Sequence, residues 1–288
     1  MTDQDYRATH LFLNAANRLH DLALEERLDT ATTGLVSAPR AVVGKPCQGN
    51  FVADNGEFNF EVSSSQRPLR PWINVLANPQ FGAQVSEAGG GYTWAINSRL
   101  NQLTAWSNDP VGDPPSEWFL LQNSKTREVW QLTPGAGADE ATTYQVTHGQ
   151  GYSRINHHQG ALQVEVTWCV DAETAVKQIN FKISNHGAKA QALRLIGMVE
   201  WLMGANRSDR ATVRTAAFHQ RLPAQQERLT ALLSTQREVS AGFGGGTAFF
   251  AMVSAADDAP NWTCDRREFF DARGQMVVPD HFGQRSGD

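Results

Sequence analysis

The N-terminal part of the chain has the hydrophobic pattern of an amphipathic helix. Over residues 5–28, apolar side chains recur at spacings of three and four, at Ala8, Phe12, Ala15, Leu19 and Leu22. Gly34 and Pro39 prevent the helix from continuing. We therefore predict a helical N-terminal extension over residues 1–45, whose apolar stripe packs on its own domain or on a partner chain, and a separate domain over residues 46–288.

From about residue 48 the hydrophobic period changes to two. Phe58, Phe60 and Val62 alternate with polar residues, as a half-buried strand requires. Before them, Asp54-Asn55-Gly56 predicts a hairpin with a type I′ turn. Further strands are predicted at 129–132, 143–148, 151–156, 162–169, 175–184, 192–203 and 248–254, with a short one at 268–270.

Four segments do not show simple alternation of apolar and polar residues. The apolar positions between 176 and 183 break phase once, which indicates a bulge. The continuous apolar run at 192–203 is typical of a strand buried on both faces. Residues 211–239 have helical propensity but lie among strands. The glycines at 89–91 form either a hairpin turn or a loop where backbone approaches a ligand.

Many short strands separated by turn signals, without alternating helices, indicate an all-β, antiparallel fold. The number and length of the strands favour a large two-sheet sandwich. A chain of 288 residues is long enough to bury a substantial core. We therefore predict an all-β, antiparallel two-sheet sandwich with one N-terminal helix.

Composition and charge restrict the classes of function. A net charge of −5 argues against the clustered basic surface that nucleic acid needs. Cys47, Cys169 and Cys264 lack metal-site spacing and are typical of buried, inert thiols in a reducing compartment. We find no secretory leader and no apolar run of roughly 18 residues. These features predict a cytoplasmic protein without a metal site or a nucleic-acid partner.

The stretch from residue 71 to residue 134 combines tryptophans with polar groups. The aromatic and polar members are Trp94, Trp106, Trp118, Trp130, Asn97, Asn101, Asn108, Asp109, Asp113 and Glu117. The apolar face of a sugar ring covers an aromatic ring, while its hydroxyls bond to amides and carboxylates. Three prolines between 110 and 115 stiffen the loop that presents several of these groups. The stretch predicts sugar contact, with core tryptophans as the alternative.

Other candidate chemistry is weaker. His148, His157 and His158 are candidate general bases, although histidines in a hairpin are often only solvated. Asp109 and Glu117 are a candidate carboxylate pair for glycoside chemistry, which depends on a separation in space. The sequence contains no nucleophile elbow, phosphate loop or dinucleotide motif.

Several long motifs resemble the start of the glycoside hydrolase family 94 module of cyclic β-1,2-glucan synthases and related phosphorylases. The segments are PWINVLANPQFG, QVSEAGGGYTWAINSRLNQLTAWSNDPVGDPPSE, HGQGYSR, VEWLMG and TCDRREF. The resemblance covers about residues 48–288. It implies a supersandwich of galactose-mutarotase-like topology, which in the family precedes a helical linker and an (α/α)6 barrel.

The resemblance also implies a function. Enzymes of the family cleave a β-glucoside with inorganic phosphate as co-substrate and with inversion, without a metal or organic cofactor. The barrel holds the general acid and the phosphate site, and a chain ending at Asp288 leaves no room for it. We therefore expect a non-catalytic domain that shapes the barrel's cleft. The matched positions predicted to bind substrate are Tyr92, Trp94, Arg99, Asn101, Trp106, Asn108 and Asp109.

The expected partners are a β-glucan or oligosaccharide, the (α/α)6 catalytic domain, and a second copy of the chain. A sheet face that a barrel covers would be apolar when bare, and such a patch favours self-association. The parent enzyme is expected in the cytoplasm, free or attached to the inner membrane. Two alternatives stay open: an autonomous glucan-binding module, and a mutarotase-like sugar epimerase that uses His148.

Overall fold

The computed structural model describes residues 47–135, 141–221, 228–236, 238, 245–253, 260–272 and 276. The helix predicted over residues 5–28 lies outside these residues, and the domain boundary at residue 45 stays a prediction. The first nine strands are β1 (Gly49–Val52), β2 (Glu57–Val62), β3 (Ile73–Ala77), β4 (Phe81–Ser86), β5 (Gly91–Ala95), β6 (Gln102–Thr104), β7 (Glu117–Asn123), β8 (Val129–Gln131) and β9 (Tyr144–Gly149).

Eight more strands follow in the described part of the chain. They are β10 (Tyr152–Gln159), β11 (Leu162–Val170), β12 (Lys177–Asn185), β13 (Leu193–Val199), β14 (Trp201–Gly204), β15 (Val213–Arg221), β16 (Arg228–Gln236) and β17 (Thr247–Met252). Two short 3-10 helices, Arg207–Thr212 and Arg266–Glu268, are the helical elements of these residues. Neither could span a bilayer.

The strands form four sheets, and their pairs are antiparallel throughout the described residues. The sheets have the orders β1-β2-β9-β10-β11-β12, β14-β6-β5-β4-β3, β13-β7-β8 and β15-β16-β17. Strands β3 and β4 pack across β9, β10 and β11, which makes two layers. The predicted all-β, antiparallel sandwich is confirmed.

The main core begins with one row of apolar side chains across the six-stranded sheet. The register pairs Phe60, Val146, Ile155, Val166 and Phe181 in turn, so that all five project from the same face. Four of them are buried, and Phe181 packs against the others from the edge strand β12. The period of two that predicted the strands therefore also selects the residues of this core.

Strand β7 is buried on both faces, and it was not among the predicted strands. Phe119 and Leu121 enter the main core, whereas Leu120 enters a second core with Ile196 and Met198 of β13. A continuous apolar run, WFLL, is the sequence signal of such a strand. The same signal was assigned to residues 192–203, and there it was wrong in part.

Residues 192–203 do not form one strand. Strand β13 pairs with β7, whereas β14 pairs with β6 of a different sheet, and the chain changes sheets at Glu200. The Glu200 carboxylate accepts from Arg266 at 3.0 Å and lies 3.7 Å from Arg210. The charged residue in this apolar run therefore lies where the chain passes from one sheet to another, and two arginines pair with it there.

The TCDRREF segment closes the second core. Asp265 caps the short helix by accepting a hydrogen bond from the Arg267 backbone N–H at 2.9 Å. The Arg267 guanidinium also donates to both oxygens of the same carboxylate. Phe269 is buried against Leu120, and Phe270 contacts the edge of the Trp118 ring. The prediction of a strand at 268–270 is wrong. The Asp265 cap stabilises a 3-10 helix at Arg266–Glu268, and helical backbone there excludes an extended strand.

Three further local predictions are corrected. The hairpin at 54–56 exists, but its loop has four residues and positive φ at Gly56 alone within that loop, so it is not a type I′ turn. Strand β12 pairs with β11 without a register shift, so the predicted bulge is wrong. Cys47 and Cys169 are half-buried and Cys264 is exposed, so the thiols are not buried.

Residues 211–239, which were ambiguous between helix and strand, form β15 and β16 in their described part. Thr215 and Ser234 are paired in register and share a hydrogen bond of 2.8 Å. Strand β17 adds to β16, and its Phe250 packs against the main core. Tertiary pairing therefore overrides the helical propensity of this segment.

We predict that Phe269→Ala lowers the free energy of unfolding by about 3 kcal/mol, because the second core loses its largest buried ring. Urea unfolding followed by tryptophan fluorescence measures the change. Phe218→Ala, which removes a half-exposed ring from β15, is the matched control and should change stability by less than about 1 kcal/mol. An unchanged unfolding free energy for Phe269→Ala would contradict the closing role of this segment.

Candidate functional site

Three aromatic side chains of the predicted site form one cluster, which we call the aromatic surface: Tyr92, Trp94 and Trp106. The Tyr92 and Trp106 rings stack, with centroids 5.2 Å apart and planes at 10°. The Trp94 ring centroid lies 5.0 Å from that of Tyr92. Tyr92 is 9% exposed, whereas Trp106 is 40% exposed. Tyr92 therefore supports Trp106, whose other ring face can receive a ring-shaped ligand.

Strand alternation places these rings on the outer side of the five-stranded sheet. Tyr92 and Trp94 are two residues apart on β5, and Trp106 follows β6. The Trp94 ring lies across Gly82 of β4, where a Cβ atom would be 2.3 Å from the indole. Only glycine at position 82 leaves room for this packing. Thr93, between the two aromatic residues, faces the interior of the sandwich.

The turn between β5 and β6 holds two further predicted residues. Asn101 donates its side-chain amide to the Ala95 carbonyl oxygen at 2.9 Å and so fixes the turn. Arg99 has an exposed side chain. Ser98 bonds to the Tyr92 hydroxyl, which joins this turn to the aromatic surface. Arg99 is therefore the exposed neighbour of the residue that bonds to Tyr92, while Asn101 holds the turn together.

The loop after Trp106 holds the last two predicted residues. Asp109 Oδ1 accepts from the N–H groups of Gly112 at 3.0 Å and Val111 at 2.9 Å. These two bonds hold the pKa of Asp109 below its ordinary value. Asn108 is exposed and has a φ of 51°, which asparagine tolerates. Asp109 therefore organises its own loop, and Asn108 is the exposed amide beside Trp106.

The other acidic residues of this stretch are engaged elsewhere. The Ser86 hydroxyl donates to Asp113. Glu117 forms an ion pair with Lys177 of β12 on the inner side of the sandwich. Because Asp109 bonds to its own loop and Glu117 to a lysine, the two do not act as the carboxylate pair that the sequence suggested. Of the polar groups that this proline-rich loop was predicted to present, Asp113 and Glu117 are therefore engaged within the protein.

Protein groups cover the glycine hairpin between β4 and β5. A Cβ atom at Gly90 would lie 2.6 Å from the Asp113 carboxylate. The neighbouring Glu87 is buried and accepts from the Trp72 N–H at 2.8 Å. Burial raises the pKa of Glu87 to about 7, and the charge of Asp113 adds to this increase. The hairpin interpretation of these glycines therefore fits better than a ligand-approach loop.

His148 lies on the inner face of the six-stranded sheet. Its Nε2 is 2.9 Å from the Trp72 carbonyl oxygen, and its Nδ1 is 3.1 Å from the Ser153 hydroxyl. Burial lowers the pKa of His148, although the bond to Trp72 opposes this effect. Because both ring nitrogens are engaged and the ring is buried, the geometry argues against His148 as the base of a mutarotase-like epimerase.

His157 occupies a core position. The register places it between Tyr144 and Val164, its ring centroid is 4.7 Å from that of Tyr144, and it is 3% exposed. Its Nδ1 has no hydrogen-bond partner within the described residues. Burial, helped by the adjacent His158, lowers the pKa of His157 to about 4. Of these two, only His158 is exposed and fits a solvated hairpin histidine.

Two ionisable groups of the interior were not among the predicted site residues: Glu87, which is buried, and Lys177, which is half-buried. Lys177 is in phase with Ile179 and Phe181, so its position on the inner face was visible in the alternation. Glu87 gave no comparable signal. In the part of the chain that the structure describes, no group of three or more His, Cys, Asp or Glu could hold a metal ion.

The described residues thus form an all-β sandwich with a partly exposed aromatic surface on the outer side of its five-stranded sheet. The chain belongs to the glycosyl hydrolase 94 family, whose supersandwich domain matches residues 56–287. The predicted family is thereby confirmed, and with it the supersandwich.

Two similar proteins illustrate the family. The chain is 34% identical over 233 residues to the cyclic β-(1,2)-glucan synthase NdvB of Rhizobium meliloti (strain 1021), a match that covers 80% of this chain and 8% of that protein. It is 27% identical over 162 residues to the solabiose phosphorylase of Paenibacillus borealis, covering 53% of this chain and 20% of that protein. The chain thus spans only a small part of either relative.

We predict that His157 makes the protein less stable as the pH falls from 6.5 towards 4. In this window the unfolded chain binds a proton at His157 and the folded protein does not, so the unfolding free energy decreases as the pH falls. The separation of the two pKa values corresponds to a loss of up to about 3 kcal/mol. Glu87 contributes in the opposite sense over an overlapping pH window, so the loss is measured by urea unfolding at several pH values as the difference between the parent and His157→Phe profiles.

Two further variants control this prediction. His158→Gln exchanges an exposed histidine and should keep the pH dependence of the parent protein. Folding raises the pKa of Glu87 to about 7, so Glu87 contributes stability that is present below pH 4.5 and is lost as the pH rises to 7. Glu87→Gln should remove this contribution, which is opposite in sign to that of His157. If His157→Phe and the parent protein have parallel stability profiles, His157 is not the buried neutral group described above.

Proposed function

We propose that this chain is a non-catalytic domain of a family 94 enzyme, and that it shapes the glucan-binding cleft of an (α/α)6 catalytic barrel. The observation that carries the proposal is the aromatic surface. Trp106 has one ring face stacked on Tyr92 and the other exposed, with the exposed side chains of Arg99 and Asn108 on the adjoining loops. A flat ring with hydrogen-bonding groups around it suits the apolar face and the hydroxyls of a glucose unit.

The same side of the sheet offers a place for the barrel. Ile73 and Val75 on the edge strand β3 are 47% and 56% exposed. They are paired with Ser86 and Gln84 of β4, so they lie on the side that carries the aromatic surface. Strand β3 is two strand spacings, about 10 Å, from β5. If the barrel docks on β3, Trp106 lies at the rim of the barrel's glucan-binding cleft.

The chemistry then belongs to the parent enzyme rather than to this domain. We propose that the barrel uses inorganic phosphate as co-substrate and needs no metal or organic cofactor. The names of the two relatives, a glucan synthase and a phosphorylase, support a carbohydrate substrate. We also propose that the parent acts in the cytoplasm, where thiols such as the exposed Cys264 stay reduced.

An autonomous glucan-binding module is the second candidate. The exposed Trp106 favours it, because the ring is available without any other domain. A module binds glucan alone, whereas a cleft-shaping domain binds it only together with the barrel. Binding by the isolated chain therefore separates the two. Exposed Ile73 and Val75 also provide a surface through which two copies of the chain could associate, which gel filtration tests.

We predict that Trp106→Ala weakens binding of β-1,2-glucan oligosaccharides about tenfold, because a central aromatic contact is lost. The measurement is calorimetric titration, first of the isolated chain up to millimolar oligosaccharide and then of the chain joined to its barrel domain. Phe51→Ala, which removes an exposed ring from β1 of the other sheet, is the matched control. Equal affinities for Trp106→Ala and the parent would exclude the aromatic surface as the glucan site.

A companion assay tests the non-catalytic role. The isolated chain, incubated with β-glucan oligosaccharide and inorganic phosphate, should release no glucose 1-phosphate. Steady release that scales with protein concentration would overturn this part of the proposal, and a Glu117→Gln variant would then show whether this half-buried carboxylate is responsible.

A further inference from the structure

A cavity of about 560 Å³ lies where the four sheets meet. Its walls include side chains of β5, β7, β12, β13 and β17, with one or more strands from every sheet. This volume is within the range of small-molecule sites, which run from about 300 to 1,000 Å³. The cavity is separate from the aromatic surface, because β5 sends Thr93 to the cavity and Tyr92 and Trp94 to the opposite side.

Most of the cavity wall is apolar. Phe119, Phe181, Leu195 and Phe250 contribute large hydrocarbon surfaces. A glucose unit has hydroxyls around its whole ring, and burying them against such a wall would leave them without hydrogen bonds. The lining therefore selects a ligand with an apolar body.

One part of the wall is polar and incompletely bonded. Lys177 Nζ donates to Thr93 Oγ1 at 2.6 Å and to Glu117 Oε1. An ammonium group has three N–H bonds, so one has no acceptor among the described residues. Glu117 Oε1 also accepts from Thr93 at 3.3 Å, whereas Glu117 Oε2 has no donor among those residues. The pair therefore presents one free donor and one free acceptor.

A hydroxyl group matches this pattern. Its oxygen accepts from the remaining N–H of Lys177, and its hydrogen is donated to Glu117 Oε2. A carboxylate or an ammonium group fits less well, because Glu117 and Lys177 neutralise each other and one of them would repel an added charge. The polar part of the wall therefore selects a neutral head group.

The cavity also has an apolar mouth. Ile96, Phe249 and Val253 line it and are each substantially exposed, although they are large hydrophobic side chains. Exposed apolar residues at the rim of an apolar cavity are typical of the entrance to a ligand site. An apolar body can therefore follow its head group into the cavity.

We propose that this cavity binds a neutral amphiphile, a molecule with a hydroxyl head and an aliphatic or alicyclic body. The hydroxyl bridges Lys177 and Glu117, and the body lies against Phe181 and Phe250. This site is independent of glucan binding at Trp106. It gives the domain a second ligand on the inner side of the sheet whose outer side carries the aromatic surface.

The test uses the neutral fluorescent probe N-phenyl-1-naphthylamine and its displacement by three ligands of equal chain length: 1-decanol, decanoate and decylammonium. The probe should bind, and decanol should displace it at a concentration about tenfold lower than either charged ligand, as a bond to a charged pair implies. No binding of probe or alcohol, or displacement by decanoate as effective as by decanol, would overturn the proposal.

Matched variants locate the site. Ala95→Phe places a ring in the cavity and should reduce probe binding at least about tenfold, whereas Ala77→Phe, on the exposed edge strand β3, should leave it unchanged. The double variant Glu117→Gln with Lys177→Met keeps the volume and should abolish the preference for decanol over decanoate. Thermal melts verify that each variant folds. Loss of binding in Ala77→Phe but not in Ala95→Phe would place the ligand outside the cavity and reject the assignment.

Discussion

The structure depends on the burial of one short strand on both of its faces. Strand β7 sends Phe119 and Leu121 into the main core and Leu120 into the second core, so the two cores share it as a common wall. Its neighbour β13 pairs along the whole of β7, and the TCDRREF segment covers the outer side. Its three central residues are apolar and buried, and its charged residue, Glu117, stands at the start of the strand.

This constraint also arranges the two surfaces that bear on function. Glu117 enters the interior at the start of β7 and is neutralised there by Lys177, which leaves a polar contact inside an apolar cavity. The five-stranded sheet forms another wall of that cavity and turns Tyr92, Trp94 and Trp106 outwards. The ligand sites that we propose on the two sides of this sheet thus follow from one alternation of side chains along β5.

The sequence was most informative where alternation is regular. The core row through Phe60 and Val166 follows directly from the period of two, and the motifs around Trp94 and Trp106 identified the family. The change of sheet at Glu200 was not predictable, because a continuous apolar run has no alternation from which the faces of a strand can be assigned. Contacts between strands of different sheets, such as Lys177 with Glu117, were not predictable because they depend on how the sheets pack on one another. The inner positions of His148 and His157 were visible in their phase with Val146 and Ile155, yet they were first considered as catalytic groups.

Native-state hydrogen exchange tests the central role of β7 most directly. If both cores depend on this strand, the amides of Phe119, Leu120 and Leu121 exchange only through global unfolding, with the same free energy as the slowest amides of β10 and β11. If these three amides exchange through an opening of clearly lower free energy while β10 and β11 stay protected, β7 is a peripheral strand and the account is wrong.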